Sequence, residues 1–235
     1  MESYNYGSSH LIKTKDSNKN LPSGKNISKN LYNEAEAETL IQLSGGIDST
    51  YVLWKWLQEN PDKLAIVHHI ELKSYEERWN MELIAIDRIL KWLDNQGLKN
   101  YMYLQNTFDY GNIPGSMYDV EICGFIAGFI LRSVRFNKTT KTHLPIYGVY
   151  TEREERRRQI LNFTAKREIE CVYPLYDKKK WEVIEELPEE LFNLTWYCRT
   201  PIGDKKCGEC HACKQVSKSF GIIEENKLKK YLSGL

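Results

Sequence analysis

Five short apolar runs alternate with long helix-type segments, and that alternation restricts the fold more than any other feature of the chain. The runs lie at 39–43, 64–70, 101–104, 144–149 and 170–173. Segment 48–59 carries Val52, Leu53, Trp56 and Leu57 on one side, with Pro61 just past its end. In segment 75–95, Trp79, Leu83, Ile86, Leu90 and Leu93 recur at steps of four and three, a helical period that Gly97 can stop. Segment 120–136 is apolar on most faces, which predicts a buried helix, and 152–166 reads as a charged one. Strands joined by helices of this length must cross over rather than turn back. The expectation is an α/β fold with a parallel sheet that binds ligands at the carboxyl ends of its strands. After Pro174 the pattern changes, and helices at 180–187 and 189–191 lead into a cysteine cluster. The organisation expected is a polar tail over 1–37, an α/β unit over 38–173 and a C-terminal helical segment over 174–235.

Charge narrows the function classes. Lys and Arg number 33 against 32 Asp and Glu, a net charge of +1, so no basic excess points to coating nucleic acid, although a local patch is compatible with it. The longest nearly apolar run, 122–131, falls short of the roughly 20 residues a bilayer requires. The first thirty residues hold no signal-type apolar stretch, and a cytoplasmic protein without membrane contact is expected. Residues 13–29 read as tail or loop, or as an arm that orders on a partner.

Where the first run meets the first helix stands Ser44-Gly45-Gly46-Ile47-Asp48-Ser49. Two glycines let backbone approach an anion, and the N–H groups and dipole of the following helix point at the same place. Ser44, Ser49 and Thr50 can donate hydroxyl hydrogen bonds to phosphate oxygens. Asp48 fits such a site if it holds Mg²⁺ or caps the helix. A plain glycine turn capped by Asp48 or Ser49 is the blander reading. The spacing of a Walker A lysine is absent, and so is a G-x-G-x-x-G pattern.

Four of the six cysteines form Cys198-x8-Cys207-x2-Cys210-x2-Cys213. In a reducing compartment this reads as metal ligation, because Zn²⁺ takes four tetrahedral ligands and favours thiolate. An iron–sulfur cluster, replacement of one thiolate by His211, or a set of redox thiols are the alternatives. Lys205, Lys206 and Lys214 would offset a Zn(Cys)4 dianion. Cys123 and Cys171 sit in apolar context and are expected in the core.

The string Ser44-Gly45-Gly46-x-Asp48-Ser49 resembles the pyrophosphate loop of the PP-loop ATP pyrophosphatases. Together with the cysteine segment, from Cys198-Arg199-Thr200-Pro201 to Cys207-Gly208-Glu209-Cys210-His211-Ala212-Cys213-Lys214, it resembles the 7-cyano-7-deazaguanine synthases. Tyr173-Pro174-Leu175, the lysines at 178–180 and Trp181 resemble that family's approach to its last helix. The likeness spans about residues 38–218. It implies a Rossmann-like sheet of the adenine nucleotide alpha hydrolase type with a C-terminal zinc-binding segment. ATP, Mg²⁺ and Zn²⁺ are the implied cofactors. Leu43, Ser44, Gly45, Gly46, Asp48, Ser49 and Thr50 would hold the nucleotide, with Ser44, Asp48 and Ser49 taking part in catalysis, and Cys198, Cys207, Cys210 and Cys213 would hold zinc. His68 to Ile70 would lie near the adenine.

The implied reaction adenylates the carboxylate of 7-carboxy-7-deazaguanine, releases pyrophosphate, and uses ammonia to reach 7-cyano-7-deazaguanine, a precursor on the queuosine route. Three stretches depart from the family. Ile70-Glu71-Leu72-Lys73 replaces a Tyr-Gly-Gln-Arg-like segment, with Glu77-Arg78-Trp79 soon after. Pro114-Gly115 lacks the family's following Arg-Asn. Segment 151–158 replaces a Tyr-Pro-Asp-Cys-Arg-type stretch, and from it Arg153, Arg156, Arg157 or Arg158 could meet a substrate carboxylate. An enzyme of the same fold acting on a tRNA base or a protein is the first alternative, and an inactive zinc-stabilised nucleotide-binding module the second. The family also implies a homodimer.

Overall fold

The computed structural model describes residues 37–73, 78–110, 119–133, 141–148 and 152–233. In chain order the elements are β1 (Ala37–Gln42), α1 (Ile47–Glu59), β2 (Leu64–Lys73), α2 (Trp79–Asn95), β3 (Tyr101–Asp109) and α3 (Asp119–Arg132). Then come β4 (Lys141–His143), α4 (Glu152–Ala165), β5 (Glu170–Val172), α5 (Lys180–Glu186), α6 (Glu189–Leu194) and α7 (His211–Ser233). Every strand pair is parallel, and the sheet order is β3-β2-β1-β4-β5. The fold is therefore α/β, as the alternation predicts. The order reverses at β1, whose neighbours are β2 and β4, and the crevice beyond the carboxyl end of β1 is where such sheets bind ligands.

Alternation of side chains along the strands builds two apolar layers. Ile41, Ala65 and Val67 face a cluster with Leu53, Leu57, Ile86, Ile89, Leu90 and Leu93 of α1 and α2, and Val183, Leu191 and Val216 continue it into the C-terminal helices. Leu40, Ile66 and Met102 face the opposite way and pack on Ala127 and Leu131 of α3 and Leu161 of α4. Each Leu or Ile withdrawn from water in this way contributes roughly 1.5–3 kcal/mol before entropy is charged against it. Among the described residues no helix is long and apolar enough to cross a membrane.

Three expectations need correction. The strand expected at 144–149 forms instead at Lys141–His143. Pro145 has no N–H to give a ladder, whereas Thr142 is buried and its Oγ1 donates to Leu40 O at 2.9 Å. The helix expected to be buried over 120–136 ends at Arg132, and its inward face is Gly124, Ala127, Gly128 and Leu131. Phe125 and Phe129 meet edge to face at 4.9 Å and are 42% and 49% exposed. Small residues let α3 approach α4 closely, and the bulky ones are left outside. Cys123 and Cys171 are only half-buried, at the margins of the clusters rather than inside them.

Other differences are of extent. β3 runs on through half-exposed and exposed polar residues to Asp109, which an edge strand tolerates because, among the described residues, one of its sides pairs with nothing. The first three residues of the helix expected at 75–95, the Pro114-Gly115 stretch and the tail expected over 1–37 lie outside the described residues, except for Ala37, which opens β1.

Candidate functional site

The Ser44–Ser49 turn leaves the carboxyl end of β1 and enters α1. Gly46 occupies the N-cap position with extended backbone, so neither Asp48 nor Ser49 caps the helix. The hydroxyls brace the turn itself. Ser49 Oγ accepts from Ser44 N at 3.1 Å and lies 3.0 Å from Ser44 Oγ. The first-turn N–H groups at Ile47, Asp48 and Ser49 have no acceptor within the helix and face outward along its axis. Gly45 has φ +75, and a Cβ there would meet Glu82 O at 3.0 Å and Ile86 Cγ1 at 3.2 Å, so glycine is required both by conformation and by space. On its other flank Gly45 O accepts from Trp196 N at 2.8 Å.

The structure separates the turn's residues into two sets. Leu43, Ser44 and Ser49 line a cavity of about 270 Å³, together with Gln42, His68, His69, Ile70, Arg78, Glu82, Asp119, Cys123, Arg157 and Arg199. Asp48 stands elsewhere: its Oδ1 accepts from Lys180 Nζ at 2.5 Å and from the Tyr147 hydroxyl, and its Oδ2 has no hydrogen-bond partner among the described residues. Burial, then the Asp48 charge, pushes the Tyr147 hydroxyl well above its ordinary range, so it stays a donor. Thr50 is fully buried, with Oγ1 unpartnered among the described residues, and is not part of the cavity wall. Lys180, Tyr147 and Gln42 are site residues that the motif alone does not mark. In the sequence Lys180 is one of three consecutive lysines, and nothing there sets it apart from Lys178 and Lys179.

His68 and His69, on β2, are almost wholly buried. His68 Nε2 lies 3.0 Å from Asn106 Oδ1, and His69 Nδ1 lies 3.0 Å from Leu43 O. Burial pulls both rings down to about 4, so they are neutral at pH 7. They form an uncharged wall of the cavity. Burial also pushes the Cys123 thiol up to about 11.

The arginines of segment 151–158 part ways. Arg156 pairs with Glu121 at 3.5 Å, and Arg158 with Glu155 at 3.2 Å. Arg157 alone is buried against the cavity, where its Nη2 donates to Gln42 Oε1 at 2.6 Å. The side chain of Arg153 lies outside the described residues.

The second site gathers Cys198, Cys207, Cys210 and Cys213, whose sulfurs all lie within 4.8 Å of one another. A tetrahedron with metal–sulfur bonds of about 2.3 Å has edges of about 3.8 Å. The Cys198–Cys207 and Cys207–Cys213 sulfurs are 3.5 and 3.9 Å apart. The donor set fits one ion; a four-iron cluster spreads its thiolates over separate irons. Gly208, at φ +76, makes the turn between the second and third ligands. His211 opens α7 and is not in the ligand group. Cys207 N donates to Cys198 Sγ at 3.2 Å, and Cys210 N to Cys207 Sγ at 3.3 Å, which favours thiolate. Lys206 Nζ sits 4.4 Å from the Tyr197 ring centre beside the cluster.

A parallel α/β sheet with a glycine turn at its switch point, followed by four cysteines able to hold a metal ion, defines the class of molecule. No protein-family model and no curated protein matches the chain. Among solved structures it is similar to the U34-tRNA thiolase NcsA from Methanococcus maripaludis with its 4Fe–4S cluster. That match has 17% identity and a TM-score of 0.43, and covers 83% of this chain and 68% of the other.

Proposed function

We propose that the chain is an AMP-forming ATP pyrophosphatase of the PP-loop type that activates a carboxylate, most specifically that of 7-carboxy-7-deazaguanine. The observation that carries this reading is the position of Ser44-Gly45-Gly46-Ile47-Asp48-Ser49. It lies where the strand order reverses, at a helix start, beside a cavity large enough for a small planar group. A carboxylate is a poor electrophile because its leaving group would be oxide. In the proposed step a carboxylate oxygen attacks the α-phosphorus of ATP, the bond to the bridging oxygen breaks, and pyrophosphate departs with that electron pair. The turn's N–H groups and Lys180 neutralise the departing charge. Ammonia then attacks the acyl carbon, AMP leaves, and a proton is lost to give the amide. A second round of activation and loss of AMP gives the nitrile.

Mg²⁺ arriving with ATP would be held through the open Oδ2 of Asp48 and would neutralise phosphate charge. The four cysteines suit Zn²⁺ in a closed structural site, since a catalytic zinc needs an open position. A second reading, with a base in RNA as acceptor, draws support from the segment that begins at Arg199, which lines the cavity. Arg199, Thr200 and Lys205 are exposed, and Ile202 is 71% exposed, a surface that a larger substrate would cover.

The test incubates the protein with α-labelled ATP and each acceptor. AMP formed only with 7-carboxy-7-deazaguanine and ammonia supports the first reading, and AMP formed only with tRNA supports the second. No AMP with any acceptor would leave the inactive binding module as the better account. Asp48→Ala is expected to abolish AMP formation while metal content stays at the wild-type level; retained turnover would remove Asp48 from the reaction.

A further inference from the structure

We infer that the cavity beside the turn is an oxyanion subsite in which Arg157 holds the carboxylate of the acceptor, with Arg199 at its rim. The inference rests on the reading of residues 44–49 as the ATP site, because it places the acceptor next to the α-phosphate.

The charge balance of the cavity leads there. Three guanidinium groups line it. Arg78 is neutralised twice, by Glu82 at 2.9 Å and Asp119 at 2.5 Å, which also accounts for both acids in the wall. Arg157 has no carboxylate partner among the described residues, yet it is only 8% exposed. Its one hydrogen-bond acceptor there is the carboxamide of Gln42. A buried cation with a neutral partner is costly unless a ligand completes it. Arg199 likewise has no ion pair among the described residues, and it is exposed. The histidine wall is neutral and supplies no counter-charge. The subsite therefore wants an anion, with one guanidinium at depth and one at the entrance.

Arg157 is also held in place. Gln42 Nε2 donates to Cys123 O at 2.9 Å, which fixes the amide so that Oε1 faces the guanidinium. Behind Arg157 the helices nearly touch: a Cβ on Gly124 would lie 3.0 Å from Arg157 O and 3.2 Å from its Cγ. A planar fork fixed in this way suits the two oxygens of a carboxylate. Gln42 is a positioning residue. A nucleotide phosphate could occupy the same charge, and the test separates the two.

The experiment is calorimetric titration of the full chain with 7-carboxy-7-deazaguanine and with its uncharged carboxamide. ATP binding is measured separately by equilibrium dialysis. Arg157→Met is expected to weaken the acid roughly 10- to 100-fold, the range for a charge-assisted bond, and to leave the carboxamide and ATP within about twofold. Its melting temperature should not fall, since an unpaired buried charge has been removed. If that variant fails to fold, Arg157→Lys is expected to lose at least about fivefold for the acid alone, because a point charge cannot reproduce the fork. Equal loss for acid and carboxamide, a matching loss for ATP, or no acid binding by the wild type would each overturn the subsite. If ATP does not bind but the acid binds in an Arg157-dependent way, the subsite stands and the reading of the turn falls.

Discussion

Replacing Gly128 by alanine tests the contact on which the α3–α4 layer depends. A Cβ at Gly128 would lie 1.7 Å from Thr164 Oγ1, 2.7 Å from Thr164 Cβ and 2.8 Å from Leu161 O. The threonine cannot easily swing away, since its hydroxyl donates to Ile160 O at 2.8 Å and it is buried. Because a backbone oxygen and a β-branched side chain are both in the way, the cost belongs near the top of the overpacking range, about 3 kcal/mol. Alanine's helix propensity returns about 1 kcal/mol. The net loss of about 2 kcal/mol corresponds to a melting temperature roughly 4–8 °C lower for a chain of this size. Gly221, in α7, is the control: a Cβ there meets nothing within 4 Å, and the same substitution is expected to raise the melting temperature by about 2 °C. Differential scanning calorimetry of both variants decides. If Gly128→Ala stabilises as Gly221→Ala does, then α3 does not meet α4 through its glycines, and the fixed backbone behind Arg157 is lost with that contact.

Two further outcomes follow from the sites. Cys210→Ser removes one of four sulfurs, and it is expected to reduce bound metal well below the wild-type content, by elemental analysis, with a lower melting temperature; an unchanged metal content would refute the four-thiolate site. His68 and His69 have folded values near 4 against about 6.5 unfolded, so the unfolded chain binds more protons between those limits. Stability is then full above about pH 6.5 and declines as pH falls toward 4, by up to roughly 3 kcal/mol per ring at the lower end. Urea midpoints that stay flat from pH 7 to pH 5 would show that the rings are not buried as neutral groups.

Much of the layout is legible in the chain because it is local. The helical repeat through Trp79, Ile86, Leu90 and Leu93, the glycine turn at 44–49 and the cysteine spacing each announce themselves within a few residues. The rest depends on contacts between distant segments. β4 forms at Lys141–His143 because Thr142 reaches Leu40 O, and no apolar run marks that. In α3, two phenylalanines look more like core than two glycines do, yet the contact with α4 selects the glycines. Arg157 stands in a run of charges without amphipathic period, so only the packed helices distinguish it from Arg156 and Arg158. The fixing of Asp48 by Tyr147 and Lys180 joins residues 99 and 132 positions away.

The hydrogen bond from Trp196 N to Gly45 O has a consequence for how the molecule is made ready. Trp196 stands two residues before the first of the four cysteines, so the stretch that gathers the sulfurs also braces the Ser44–Ser49 turn from behind. Suppose that drawing those sulfurs together tightens the brace. By thermodynamic reciprocity, an anion that prefers the braced turn would then in equal measure discourage the sulfurs from letting go. On that coupling, occupancy at one end of the chain and readiness at the other would be two faces of a single equilibrium.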